Sequence, residues 1–177
     1  MKREFTISVF TEDRIGLLNR VSIIFTRRHI NIESITASES EVPNVHRYTI
    51  VICEHQDLVE KVVKQLNKQV EILRSFLHVN DEVVYQELAL YKVPTHVLAE
   101  GGEAETVVRN HNARVLSVAP EYTIIEKTGH KEETQQLFEV LEPYGILEFV
   151  RSGRVAISKP MKEFKEYLSE IEVASAH

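Results

Sequence analysis

The chain has 177 residues and a mass of 20.4 kDa, room for one or two domains at roughly 150 residues each. Its net charge is −6; the first 80 residues carry 11 basic and 10 acidic groups and the remaining 97 carry 10 and 17. Neither part is the basic surface that a phosphate-backbone binder presents, and 43% hydrophobic with 27% charged residues excludes a wholly disordered chain. Phe5, Ile7 and Val9 alternate with Thr6 and Ser8, the period of a half-buried strand. A polar turn, Thr11-Glu12-Asp13-Arg14-Ile15-Gly16, follows. The period then changes: Leu17, Leu18, Val21, Ile24 and Phe25 lie on one face of a helix, and Arg27, Arg28 and His29 place positive groups at its negative end. Ile30 and Ile32 open a second strand, Glu41-Val42-Pro43-Asn44 is a turn, and Tyr48, Ile50 and Ile52 mark a third strand. Leu58, Val59, Val62, Val63 and Leu66 predict a second amphipathic helix, and Val70 and Ile72 begin a fourth strand.

This βαββαβ order then repeats. Leu88 and Leu90 predict a strand, Ala104, Val107, Val108 and His111 a helix, and Val115, Leu116 and Val118 a strand. After the turn Ala119-Pro120-Glu121 come a strand (Tyr122, Ile124), a helix (Leu137, Phe138, Leu141) and a last strand pair at 146–150 and 155–157. The pattern predicts an α+β protein of two ferredoxin-like βαββαβ domains, 1–79 and 80–160, joined near Asn80-Asp81-Glu82. The first helix of the second copy is shorter, and the loop before it, 95–102, is longer. Residues 161–177 are expected to be a tail helix, with Met161, Phe164, Tyr167, Leu168 and Ile171 as its apolar stripe.

One cysteine, Cys53, cannot form an intrachain disulfide and is expected to be a small core or interface residue. No apolar signal segment precedes the first strand, and no apolar stretch nears the roughly 20 residues that span a bilayer. A soluble, cytoplasmic protein with no membrane and no nucleic-acid partner is therefore expected. The eight histidines show no paired ligand spacing, so no metal site is expected. No nucleophile elbow, Walker loop or dinucleotide fingerprint is present, which argues against a catalytic domain. Gly101-Gly102 reads as a loop tip, and Glu132-Glu133 and the 162–165 stretch read as solvated helix faces.

The turn Asp13-Arg14-Ile15-Gly16-Leu17-Leu18 stands apart. It runs from a strand into a helix start, where unpaired amides can take a carboxylate without a cationic side chain. Asp13 could cap that helix or accept from an amino group; Asn31, past the helix, could hydrogen-bond a ligand or serve as a left-handed turn residue. Spacing leaves both open.

The Asp-Arg-x-Gly-Leu-Leu turn resembles the ligand loop of ACT domains, small βαββαβ modules that bind amino acids for feedback control. The longer run from Gly16-Leu-Leu-Asn-Arg-Val through Phe25-Thr-Arg-Arg to Asn31-Ile-Glu-Ser-Ile is similar to the regulatory (small) subunit of acetohydroxyacid synthase, also called acetolactate synthase. Gln65-Leu-Asn-Lys68, Val70-Glu-Ile-Leu-Arg74, Glu87-Leu-Ala-Leu-Tyr-Lys92 and Val150-Arg-Ser-Gly153 extend the likeness over nearly the whole chain. The resemblance implies a non-catalytic subunit that activates a catalytic large subunit and confers inhibition by valine or another branched-chain amino acid. It implies a homodimer through the ACT domain, with the effector at the interface. Asp13, Gly16, Leu17 and Leu18 of one chain would then face Asn31 and Ile32 of its mate. Thiamine diphosphate, magnesium and FAD would belong to the large subunit, and no cofactor to this one. Many bacterial members carry asparagine where Asp13 stands and a smaller residue where Leu17 stands. The alternative is a stand-alone amino-acid-sensing ACT protein that controls another enzyme or a transcription factor.

Overall fold

The computed structural model describes residues 1–99 and 103–159. Gly101-Gly102, the 162–165 stretch and the expected tail helix 161–177 lie outside the described residues. The chain forms two compact units, Met1–Val84 with 154–159, and Tyr85–Gly153.

Unit 1 runs β1 (Arg3–Glu12), α1 (Leu17–Thr26), β2 (Ser34–Glu39), β3 (Val45–Glu54), α2 (Gln56–Leu66) and β4 (Ile72–His78). The sheet order is β2-β3-β1-β4, antiparallel throughout, with Phe5 opposite Ile52, Ile7 opposite Ile50 and Val9 opposite Tyr48. These side chains meet Val21, Ile24 and Phe25 of α1 and Val59, Val62 and Leu66 of α2 in one apolar core. Each such side chain, fully buried, contributes about 1.5–3 kcal/mol, so the two helices are held mainly by this face. Val70 proves 89% exposed, in the turn before β4. Cys53 is exposed, not core: it sits near the end of β3, opposite Glu4.

The other face of β1 corrects the half-buried expectation. Thr6 and Ser8 are as buried as the apolar residues beside them, and so is Thr49 of β3. Residues 154–159 lie on this face: Arg154 donates to the Thr6 hydroxyl at 2.8 Å and to the Glu4 carboxylate at 2.6 Å. A hydroxyl can be buried at little cost when such partners are present.

Unit 2 takes up β5 (Val83–Pro94), which starts at the end of unit 1, then α3 (His96–Ala99), α4 (Glu103–Asn110), β6 (Arg114–Val118), β7 (Tyr122–Gly129), α5 (Lys131–Leu141) and β8 (Glu148–Arg151). Its strand order, β6-β7-β5-β8, repeats that of unit 1. The expected α+β pair of ferredoxin-like folds is what the chain forms. The core is Ala89, Tyr91, Val93, Val108, Ile125, Leu137 and Leu141. Here the alternation is offset from the residues that predicted it: Leu88 is 40% exposed, while Ala89 and Tyr91 point inward. The Tyr91 hydroxyl donates to the Thr134 carbonyl at 2.5 Å, and burial pushes its phenol up to about 12.

The division differs from the expected 79/80 boundary and 80–160 span. It falls at 84/85, because β5 is continuous from Val83, and the chain returns to unit 1 at Arg154. The last strand, β9 (Val155–Ser158), pairs with β5 and counts with unit 1, where Arg154 finds Glu4.

Candidate functional site

β1 ends in a braced turn. The Glu12 amide donates to the Glu71 carbonyl and the Asp13 amide to the Asn44 carbonyl, each at 3.1 Å. Asp13 does not cap α1; its carboxylate lies 3.4 Å from His46 Nε2. The residue at the cap is Gly16, at φ +83°; it offers no side chain to the first-turn amides, of which that of Leu17 donates to the Arg14 carbonyl at 3.4 Å. A Cβ there would meet nothing within 4 Å, so the positive φ, rather than crowding, is what calls for glycine. The open space lies where a ligand or partner can approach.

Four helices of eight or more residues are described, and their first turns differ. α2 has Asp57, α4 has Glu103 and Glu105, and α5 has Glu132 and Glu133, whereas α1 has no acidic residue. The first turn of a helix carries about half a positive charge in unpaired N–H groups. In α1 alone of the four, no carboxylate of its own meets that charge. Such a helix end is the kind of place where backbone amides can take an anion without a cationic side chain.

Around it lie Leu17, buried and facing inward, Leu18, 43% exposed, and Ile15, fully exposed. A small depression of about 80 Å³ is lined by Arg14, Ile15, Leu17, Arg20 and Glu71. Arg20 pairs with Glu71, whose carboxyl sits below its usual range, first through a hydrogen bond from its own amide and then through Arg20. Arg14 pairs with Glu12 at 2.6 Å. Both cations therefore have a carboxylate partner.

Asn31 and Ile32 lie past the other end of α1. Ten residues at 1.5 Å each separate the two sets by about 15 Å. Within one chain they do not meet. Asn31 is exposed and its amide nitrogen donates to Glu33 at 3.2 Å; the left-handed residue after α1 is His29, at φ +54°, not Asn31. Ile32 is half-buried against the unit 1 core.

Comparison with known proteins decides the family. The small subunit of acetolactate synthase family model matches residues 86–160, and the AHAS small subunit-like ACT domain model matches residues 7–74. The acetolactate synthase small subunit of Bacillus subtilis is 38% identical over 160 residues, 90% of this chain and 91% of its own length. The chain belongs to the acetolactate synthase small subunit family. Its counterpart in Mycolicibacterium smegmatis is 39% identical over 154 residues, 87% of this chain and 90% of its own. The crystal structure of the acetolactate synthase small subunit from Thermotoga maritima superposes with a TM-score of 0.79 at 28% identity, covering 90% of this chain and 99% of that one.

Within this family frame, unit 1 contains the ACT match and the C-terminal match covers all of unit 2 but Tyr85. Sequence reasoning missed His46 and Asn44, which hold Asp13 in place. Their role depends on the pairing of Glu12 with Val45, and no local pattern signals that register. It also missed an apolar hollow of about 350 Å³ in unit 2, lined by Leu98, Val108, Val115 and Val118 with Thr95, Glu105 and Thr123. Among the described residues no group of three or more His, Cys, Asp or Glu is placed to share a metal ion, and no helix is long and apolar enough to cross a membrane.

Proposed function

We propose that this chain is the non-catalytic regulatory subunit that activates the large subunit of acetolactate synthase and makes it sensitive to valine or another branched-chain amino acid. The observation that carries the reading is the α1 start: a left-handed glycine, open space above it and no acidic residue in the first turn. The effector carboxylate would sit on the amides of Gly16 and Leu17, displacing the 3.4 Å bond from the Leu17 amide to the Arg14 carbonyl, and Leu18 would flank its aliphatic side chain. Its ammonium would go to Asn31 of a second copy, with Ile32 beside it, because the two sets stand about 15 Å apart in one chain. Exposed Ile15, Leu18 and Ile23 on and before α1 supply the apolar surface that such pairing covers. Asp13 would add a carboxylate for the ammonium.

Family membership over both units supports a large catalytic partner. Thiamine diphosphate, magnesium and FAD would reside on that partner, with none held here, and the assembly would work in the cytoplasm. The test is reconstitution with the large subunit. The isolated chain forms no acetolactate from pyruvate, raises the rate of its partner, and renders that rate sensitive to valine. Acetolactate formation by the chain alone at the reconstituted rate, or no stimulation of the partner, would refute the proposal.

A further inference from the structure

Residues 154–159 cross one face of the unit 1 sheet and touch three adjacent strands. The Arg154 side chain reaches β1, with Nη1 donating to Thr6 Oγ1 at 2.8 Å and Nη2 to Glu4 at 2.6 Å. Its carbonyl accepts from Thr36 Oγ1 of β2 at 3.0 Å, and the Ala156 carbonyl accepts from Arg47 of β3 at 2.6 Å. Nη1 also donates to Asn80 Oδ1 at 3.3 Å, in the turn after β4. Arg154 is 3% exposed while the Glu4 side chain keeps 35% of its surface in water, so it is the guanidinium that is withdrawn from solvent and costly to leave without partners.

The three strands are the ones that carry the candidate effector elements. β1 runs into the Asp13–Gly16 turn, β2 begins two residues after Ile32, and β3 starts with Val45 opposite Glu12 and His46 against Asp13. The same segment is the covalent continuation of Gly153, the last residue of unit 2. We propose that Arg154 is a positioning residue for regulation, a strap that ties the effector-bearing strands to the chain leaving unit 2. This rests on the effector reading of unit 1 given above.

An effector that draws on the β1 turn and on the residues before β2 acts on two strands that flank β3. The strap bonds all three, so a change in their spacing cannot leave its hydrogen bonds unaltered. Removing a buried guanidinium from its carboxylate is strongly unfavourable, which favours a strap that is either closed or released. An effector preferring one of those states shifts the other end of the segment as well, and the coupling is reciprocal.

The test uses the full chain with its catalytic subunit, valine as the probe, and the variants Arg154→Met, Arg154→Lys and Thr36→Val. Calorimetry reads valine affinity and the acetolactate assay reads inhibition. Folded Arg154→Met is expected to bind valine within about threefold of the parent while its inhibition weakens about fivefold or more, the range of ordinary coupling energies. Thr36→Val, which leaves the Arg154–Glu4 pair intact, weakens inhibition in the same direction, and Arg154→Lys restores part of it. Inhibition equal to the parent in folded Arg154→Met or in Thr36→Val overturns the proposal, as does loss of binding and inhibition together. If Arg154→Met does not fold, Thr36→Val decides alone. A parent chain that binds no valine removes the effector reading itself, and this inference with it, a result distinct from any variant effect.

Discussion

The two units share a strand order and diverge at the first helix. Both first helices end alike: the Ile30 amide returns to Phe25 after a left-handed His29, and the Ala113 amide returns to Val108 after a left-handed Asn112. Their starts are opposite. In unit 1 a braced turn and Gly16 deliver a ten-residue helix whose first turn carries no acid. In unit 2 the helical stretch is split into the short α3 and the eight-residue α4, and Glu103 and Glu105 occupy the first turn of α4. One copy leaves its positive helix end without a carboxylate of its own; the other meets that charge with its own side chains. A fold repeated twice thus offers one candidate anion site, at the helix start without first-turn acids.

The largest expected effect comes from closing that site. Gly16→Asp puts a carboxylate where the effector carboxylate belongs and forces a side chain into a positive-φ backbone. Losing two contacts of about 1–3 kcal/mol each weakens valine inhibition by about 30-fold or more, measured as the valine concentration for half-inhibition of the reconstituted enzyme, beside a thermal melt. Asn31→Ala comes next. Its amide makes one exposed bond to Glu33, so the melt stays put while valine affinity drops about 5- to 150-fold. Parent-like inhibition in that variant would misplace the site.

The third perturbation makes α1 resemble α4. Asn19→Glu adds a first-turn carboxylate at an exposed position, gaining about 0.3–1 kcal/mol of helix stability while opposing an anionic ligand. The melt should rise slightly and valine affinity should fall several-fold. A change of both in the same direction would separate the helix end from the effector.

The units also differ in their response to pH. Tyr91, in unit 2, has a phenol raised from 10.0 to about 12 by burial. The neutral form is the one favoured in the fold, so this stability is present below pH 10 and is lost as pH rises from 10 through 12. At 1.36 kcal/mol per pH unit the loss is about 2–3 kcal/mol, and Tyr91→Phe, which gives up a hydrogen bond worth about 1 kcal/mol, does not show it. In unit 1, burial lowers the pKa of His78, which is half-buried in β4, so its contribution is present above the ordinary histidine value and fades as pH falls below it. Hydrogen exchange resolved by segment should show β5 loosening at high pH and β4 loosening, to a smaller extent, at low pH. The reverse assignment would break the contrast.

What the residues disclose depends on whether a pattern is local. α1 is legible because Leu17, Val21, Ile24 and Phe25 recur at helical spacing and are buried on one face. The Asp13–Gly16 turn is legible as a candidate site because a polar turn ends in glycine at a helix start. The second buried face of β1 is not, since Thr6 and Ser8 look like a solvated stripe until Arg154, 148 residues away, is placed on Thr6. The inward phase of β5 is equally hidden: Leu88 and Leu90 are as apolar as the residues that face the core, and their outward position depends on which side the helices pack. Asp13 had two readings from spacing, and His46, brought near by the β1–β3 register, removes the capping one.

β6 has one consequence for life in a crowded cell. All five of its residues are exposed, Val115, Leu116 and Val118 among them, and it lies at the edge of its sheet with a register shift between Val115 and Ser117. Such an edge is a template for another strand, and the shift blunts it only in part. Chains at high concentration would therefore be drawn toward one another through β6. The replacement of Leu116 by lysine should slow precipitation of the overproduced chain without touching its core.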